Sequence, residues 1–281
     1  MTGAQAGWRA SVERLDPRVR VTALAVTFGA FGLLSVLVEG QDRLAGDRLL
    51  SDTLQGDQLP GGSNPVVRSI MSVCTYLGGG IGMPLLASIA VVIVASRNGR
   101  ARNLVFLVIA VQGASVIGRV LKGAFERPRP ALSSVTLSSG LRPVVLLAVL
   151  ALVLIAWRSA PRRILLLGAA LAAWVTVHET LKAAVAIRSA HDAFPSGHAV
   201  ASMALVSALI LLTWGSRWRI PALIGGTVFV VAVGGSRLYF GFHHPSDVLA
   251  GWCLALAWVV AVDLLLDLTP SSPDLQRATG D

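Results

Sequence analysis

Eight apolar runs separated by short arginine-bearing turns constrain this chain more than any other feature. They extend from about Val21 to Val38, Val66 or Met71 to Ala95, Leu104 to Leu121, Val144 to Trp157, Ile164 to Leu181, Ala199 to Trp214, Ile220 to Gly235 and Val248 to Leu266. In a bilayer core each backbone N–H and C=O must be satisfied within the protein, and a helix of about 20 apolar residues does this while crossing. The expected fold is all-α, a polytopic membrane helix bundle of about eight transmembrane helices. The runs at 144–157 and 199–214 are short for a full crossing. With 54% of 281 residues hydrophobic and 14% charged, the chain leaves no room for a separate soluble domain.

The charges set an orientation. Arg9, Arg14, Arg18 and Arg20 precede the first run; Arg97, Arg100 and Arg102 follow the second; Arg158, Arg162 and Arg163 follow the fourth; Arg217 and Arg219 follow the sixth. All fall on one side of an eight-span bundle, which the positive-inside rule makes the cytoplasmic side. Residues 1–20 are thus expected as a cytoplasmic segment, 21–268 as the membrane domain and 269–281 as a disordered cytoplasmic tail. No small-residue cleavage pattern follows the first run, so it is expected to remain as a span. Residues 39–65, with Asp42, Asp47, Asp52 and Asp57, are expected as an external loop with room for an amphipathic helix. The formal charge of +9 comes from these scattered clusters and from the opposite face, which excludes a nucleic-acid surface. Cys74 and Cys253 lie in or beside apolar runs with no ligand spacing, so they are expected as free thiols and no metal centre is expected.

The outer face breaks the charge rule. Lys122, Arg127, Arg129, Lys182, Arg188, His191, His198, Arg237, His243 and His244 all lie at or near it. Cations gathered where topology does not favour them are explained by an anion that they bind. Lys122 and Lys182 are the two lysines of the chain, and they stand at matching places in two stretches that align without a gap, starting at Ala101 and Pro161. An internal duplication would produce this pattern.

Three stretches carry chemistry. In SRLYFGFHHPSD, Ser236–Asp247, Pro245 suits the first turn of a helix, which puts Asp247 where its carboxylate can reach back past the helix start and meet His243. An imidazole beside a carboxylate is a nucleophile or acid–base unit, and Arg237 adds a fixed cation for an anionic substrate. In PSGH, Pro195–His198, the chain enters a helix whose first N–H groups have no intrahelical partners. Ser196, Gly197 and that N-terminus form an anion cradle, with His198 as a proton donor. In KGAFERPRP, Lys122 and Arg129 stand seven positions apart at the outer end of the third run.

Together these pieces resemble the motifs of the type 2 phosphatidic acid phosphatase superfamily, which also includes vanadium haloperoxidases. The pattern is Lys-six residues-Arg-Pro, then Pro-Ser-Gly-His, then Ser-Arg-five residues-His-three residues-Asp, and all three match in that order. The resemblance spans about Asp42 to Leu266. It implies a six-helix phosphatase core in which His243 attacks phosphorus to form a phosphohistidine, Asp247 orients His243, and His198 protonates the leaving oxygen and then activates water. Lys122, Arg129, Ser196, Gly197 and Arg237 would hold the phosphate oxygens, with no metal and no cofactor. His244 does not fit the motif spacing and is expected as a neighbour.

One departure bears on the assignment. Relatives usually join the Arg-Pro motif to Pro-Ser-Gly-His by a short loop, whereas an extra helical pair intervenes here. A pair returns the chain to the same face, so the site can still assemble. The insertion also brings Lys182, Arg188 and His191 close to Pro-Ser-Gly-His, but Arg188 is six positions after Lys182 and lacks the following proline. Arg119 is expected to pair with Glu179 between the third and fifth runs. The expected activity is hydrolysis of a lipid phosphate or polyprenyl (di)phosphate at an outward-facing site in the cell membrane, with a lipid phosphate as partner. The alternatives are phosphoryl transfer at the same site and a non-catalytic lipid-phosphate transporter or binding protein.

Overall fold

The computed structural model describes residues 15–40, 44–49, 64–80, 82–98, 101–125, 127–130, 151, 161–184 and 192–268. Eight helices are named among them: α1 (Pro17–Val38), α2 (Pro65–Leu77), α3 (Gly82–Asn98), α4 (Ala101–Phe125), α5 (Pro161–Ala184), α6 (Gly197–Thr213), α7 (Arg219–Tyr239) and α8 (Pro245–Leu268). A further short helical stretch covers 45–49, and among the described residues there is no strand. The helix starts follow local rules. Asp16 and Asn64 accept from the N–H groups of Arg18 and Val66, with Pro17 and Pro65 at the first helical position, where proline forfeits no bond.

The structure is an all-α membrane bundle. Four helices, α1, α4, α7 and α8, are long and apolar enough to cross a bilayer, and α2 with α3 makes a fifth crossing if the bent pair counts as one. The apolar parts of α5 and α6, Leu166–Leu181 and Gly197–Thr213, are shorter. The second run is therefore not one straight span: α2 and α3 meet at 58°. The fourth run, 144–157, lies outside the described residues except for position 151, and Arg188 and His191 lie outside them too.

At the centre, α4, α6 and α8 pack on one another, with α1 against α8, α7 against α6, α2 against α7 and α3 against α4. Lipid supplies little hydrophobic drive for helix association, so close packing of small residues matters more. Ala199, Ala204 and Ala208 of α6 are fully buried. Gly251 of α8 lies so near α6 that a Cβ there would stand 2.9 Å from the Ser196 carbonyl oxygen. The outer faces are apolar, with Phe28, Leu33, Val228 and Val231 exposed where lipid surrounds the bundle.

The added helix α5 packs mainly on α3, outside this centre. A polar contact ties it to α4: Arg119 Nη2 lies 2.7 Å from His178 Nε2, and His178 Nδ1 lies 3.3 Å from Gln112 Oε1. The expected pairing of Arg119 with Glu179 is thus corrected in part. The hydrogen bond goes to His178, one residue earlier, and Glu179 acts on Arg119 through space.

Charges mark the two ends. Arg20 of α1 pairs with Asp263 at 2.8 Å and Asp267 at 2.5 Å, and Arg102 of α4 pairs with Asp267 at 2.7 Å. Lys122 follows Arg102 by twenty residues on α4, and Asp267 follows Asp247 by twenty on α8. At 1.5 Å per residue each interval covers about 30 Å, the thickness of a bilayer core. The two polar clusters therefore stand at opposite ends of the bundle.

Candidate active site

The three motif stretches converge at the end of the bundle that holds Lys122. His243 and His244 lie in the turn between α7 and α8, each 2% exposed, and Asp247 is wholly buried in the first turn of α8. His198 stands in the first turn of α6. Lys122, Arg129 and Arg237 all act electrostatically on both His198 and His243. Burial, followed by the cations Arg237, Lys122 and Arg129, holds the His243 imidazole well below the usual histidine range. A neutral imidazole with three cations beside it suits an anionic substrate.

The relation of His243 to Asp247 departs from expectation. Asp247 occupies the third helical position of α8, and its Oδ2 accepts from the His244 N–H at 2.7 Å, the bond of a capping box. Its Oδ1 accepts from Arg127 Nη1 at 2.5 Å. His243 Nδ1 instead donates to the carbonyl oxygen of Ala193 at 2.8 Å, while Asp247 Oδ2 stands 3.7 Å away. Asp247 is close enough to act on His243 by charge, but Ala193 makes the hydrogen bond.

The phosphate-binding candidates are disposed around these imidazoles. Ser196 caps α6 without a side-chain capping bond, and its Oγ is buried with no protein partner among the described residues. The Ser196 N–H donates to the Asp247 carbonyl at 3.0 Å, which pins the start of α6 to that of α8. Gly197 lies beside Lys122: a Cβ there would stand 4.0 Å from Lys122 Cε, an ordinary contact. Lys122 Nζ donates to the Asp192 carbonyl at 2.8 Å. Arg237 lies over the Phe242 ring at 4.1 Å and donates to Thr75 Oγ1 at 3.4 Å, and its Nε is buried without a partner among the described residues. Two buried donors, Ser196 Oγ and Arg237 Nε, thus have capacity for an anion. The side chain of the rival Lys182 lies outside the described residues.

Other participants were not legible in the motifs. Arg127, expected among the anion-binding cations, is buried and pairs with two protein carboxylates, Asp47 at 2.8 Å and Asp247 at 2.5 Å. Asp47, expected in the external loop, is buried against the start of α8, where its Oδ1 accepts from the Ser246 N–H at 2.9 Å. Burial opposes its ionisation, but hydrogen bonds from Ser246, Arg127 and the Leu44 N–H hold its carboxyl below the usual range. Gly79, in the bend between α2 and α3, backs onto His198: a Cβ there would stand 2.1 Å from His198 Nε2. Only the cluster of three glycines at 78–80 hinted at such an approach.

The fold and site define a multi-pass membrane protein in which a buried histidine, His243, and a half-buried one, His198, stand among cations at one end of a helix bundle. The chain belongs to the PAP2 superfamily, whose model matches residues 103–267. It is 36% identical over 76 residues to an undecaprenyl-diphosphatase of Sulfolobus acidocaldarius, covering 27% of this chain and 34% of that protein. It is 37% identical over 78 residues to sphingosine-1-phosphate phosphatase 1 of Rattus norvegicus, covering 26% of this chain and 18% of that one. The matches span about a third or less of these curated relatives. A solved structure, a transmembrane PAP2-type phosphatidylglycerolphosphate phosphatase from Bacillus subtilis, has the same fold. Its TM-score is 0.60 at 18% identity, with 89% of this chain and 98% of that chain covered.

Proposed function

We propose that this protein is a membrane-embedded phosphatase that hydrolyses a lipid phosphate or polyprenyl diphosphate through a phosphohistidine at His243. The observation that carries this reading is the His243–Ala193 hydrogen bond within a ring of cations. A carbonyl oxygen only accepts, so His243 Nδ1 carries the proton and Nε2 keeps its lone pair. Nε2 attacks phosphorus and the bond to the leaving oxygen breaks. The negative charge of the bound phosphate offsets the cations beside His198, so that this ring takes up a proton with the substrate and passes it to the leaving oxygen; in the second step it takes a proton from the water that attacks the phosphohistidine. The imidazolium formed on His243 is stabilised by the Ala193 carbonyl at 2.8 Å and the Asp247 carboxylate at 3.7 Å. Lys122, Arg129, Arg237, Ser196 Oγ and the N-terminus of α6 receive the phosphoryl oxygens, so the mechanism invokes no metal ion.

The substrate class draws support from the relatives, whose names specify undecaprenyl diphosphate, sphingosine 1-phosphate and phosphatidylglycerolphosphate, all phosphorylated lipids. The orientation draws support from the arginine clusters. Arg20 and Arg102 stand at the end of the bundle away from the site, so the positive-inside rule turns the site outward in the cell membrane and both termini to the cytoplasm. The membrane domain is taken as 21–268. Purified protein in detergent, offered a panel of lipid phosphates and polyprenyl diphosphates without added metal, should release inorganic phosphate from at least one. Binding of these lipids without release would assign the chain to a lipid-phosphate carrier.

A further inference from the structure

Arg127 and Arg129 are separated by one proline, yet they face different tasks. Arg127 Nη1 donates to Asp247 Oδ1 at 2.5 Å and to Ser246 Oγ at 2.7 Å, and its Nη2 donates to Asp47 Oδ2 at 2.8 Å. One guanidinium thus joins the 45–49 stretch to the first turn of α8. The backbone of the same residue makes a second line: the Arg127 carbonyl accepts from the Ala193 N–H at 2.7 Å, and the Ala193 carbonyl accepts from His243 Nδ1 at 2.8 Å. Arg127 therefore reaches His243 by two routes, each with one intermediary. The side chain acts through Asp247 and the main chain through Ala193.

We propose that Arg127, held by Asp47, is a positioning residue that sets the orientation and basicity of His243. The proposal rests on His243 as the nucleophile. By occupying Asp247 Oδ1 it offsets that carboxylate's charge, so Asp247 stands beside the ring without drawing a second proton onto it. The other charged groups acting on His243 are Lys122 from α4, Arg129 from the 127–130 segment and Arg237 from α7, with the ring of His198 from α6 facing it and His244 adjoining it. These cations favour the neutral ring, and Asp247 acts the other way. How much of the Asp247 charge His243 feels is governed by Arg127.

The chain has 5 histidines, so full-length protein in detergent with 13C at histidine Cε1 gives a spectrum in which His243→Gln assigns one signal. Burial disfavours the Asp247 carboxylate and Arg127 favours it, but the His244 N–H still holds Oδ2 at 2.7 Å without Arg127, so Arg127→Gln should leave Asp247 charged and raise the His243 titration midpoint by about one pH unit. The acidic limb of kcat/KM should move with it, while KM stays within about twofold because Arg127 is engaged by Asp47 and Asp247. Asp47→Asn leaves Arg127 more positive and should not raise the midpoint. Arg127→Lys keeps the charge but not the fork, so the midpoint should stay in place while kcat falls about tenfold or more. A folded Arg127→Gln with an unmoved midpoint overturns the proposal, as does a large rise in KM with the pH profile unchanged. If Arg127→Gln does not fold, Arg127→Lys decides: a raised midpoint, or an undiminished kcat, sinks the idea. The titration needs no turnover, so an inert wild type would count against the phosphatase reading and leave this coupling measurable.

Discussion

His243 turns its Nδ1 to the carbonyl oxygen of Ala193 at 2.8 Å. In the proposed reaction that bond leaves Nε2 as the attacking nitrogen. His243→Ala should leave the protein folded and abolish phosphate release, and brief exposure of wild type to substrate should trap phosphohistidine on Nε2. The measurement is phosphate release together with mass spectrometry of the quenched enzyme. A variant keeping a tenth of the rate, or a phosphoryl group on Nδ1, would remove His243 from this role.

The same atom sets the pH dependence. As the proposed nucleophile His243 must be neutral, and burial with Arg237, Lys122 and Arg129 disfavours its charged form, so its pKa is lowered. As pH falls the ring stays neutral past the ordinary value of about 6.5, and activity is lost only below it. The acidic limb of kcat/KM should therefore lie under that value. Arg237→Gln removes one of the depressing cations and should move the limb upward. A limb at or above the ordinary value in wild type contradicts the assignment.

The choice of phosphate-binding lysine can be tested by rank. Lys122 acts electrostatically on both histidines. A charge donor of this kind contributes on the order of 3 kcal/mol to the transition state, about a hundred- to thousand-fold in rate. Lys122→Ala and Arg129→Ala should each lower turnover by about that factor, and Lys182→Ala and Arg188→Ala by less than about tenfold. The reverse order would assign the phosphate to the inserted helical pair.

Gly79 offers a steric test. A methyl group there would stand 2.1 Å from His198 Nε2, so Gly79→Ala must displace the imidazole or the bend. Loss of a general acid costs about a hundred-fold or more, which kcat should register with the protein still folded. Gly118→Ala is the control, because its nearest contacts are methyl groups of Val200 at 3.5 Å. Equal effects from the two would show that the Gly79 effect does not pass through His198.

Orientation is tested by labelling in intact cells. With Cys74 and Cys253 replaced by serine, Arg48→Cys lies in the stretch beside the site and Arg217→Cys in the turn between α6 and α7, both exposed positions. A membrane-impermeant maleimide should label the first and not the second. The opposite pattern would turn the site to the cytoplasm.

The sequence alone was enough to determine the all-α membrane class and to mark the candidate site residues. Both follow from local rules: a bilayer accepts long apolar runs only as helices, and Lys122, Arg129, Ser196, Gly197, His198, Arg237, His243 and Asp247 stand in motifs whose spacing is read along the chain. The tertiary structure alone decided the partners. From sequence, Asp247 four positions after His243 looks like its hydrogen-bond partner, yet the capping geometry of α8 draws Oδ2 to the His244 N–H and leaves the ring to Ala193, fifty residues away. Arg127 looks like one more phosphate cation until Asp47, eighty residues earlier, folds against Ser246 and claims it. Such contacts were hidden because helix-packing geometry, rather than spacing, brings distant turns to the same end of the bundle, and burial then forces each charge to take whatever partner lies within reach.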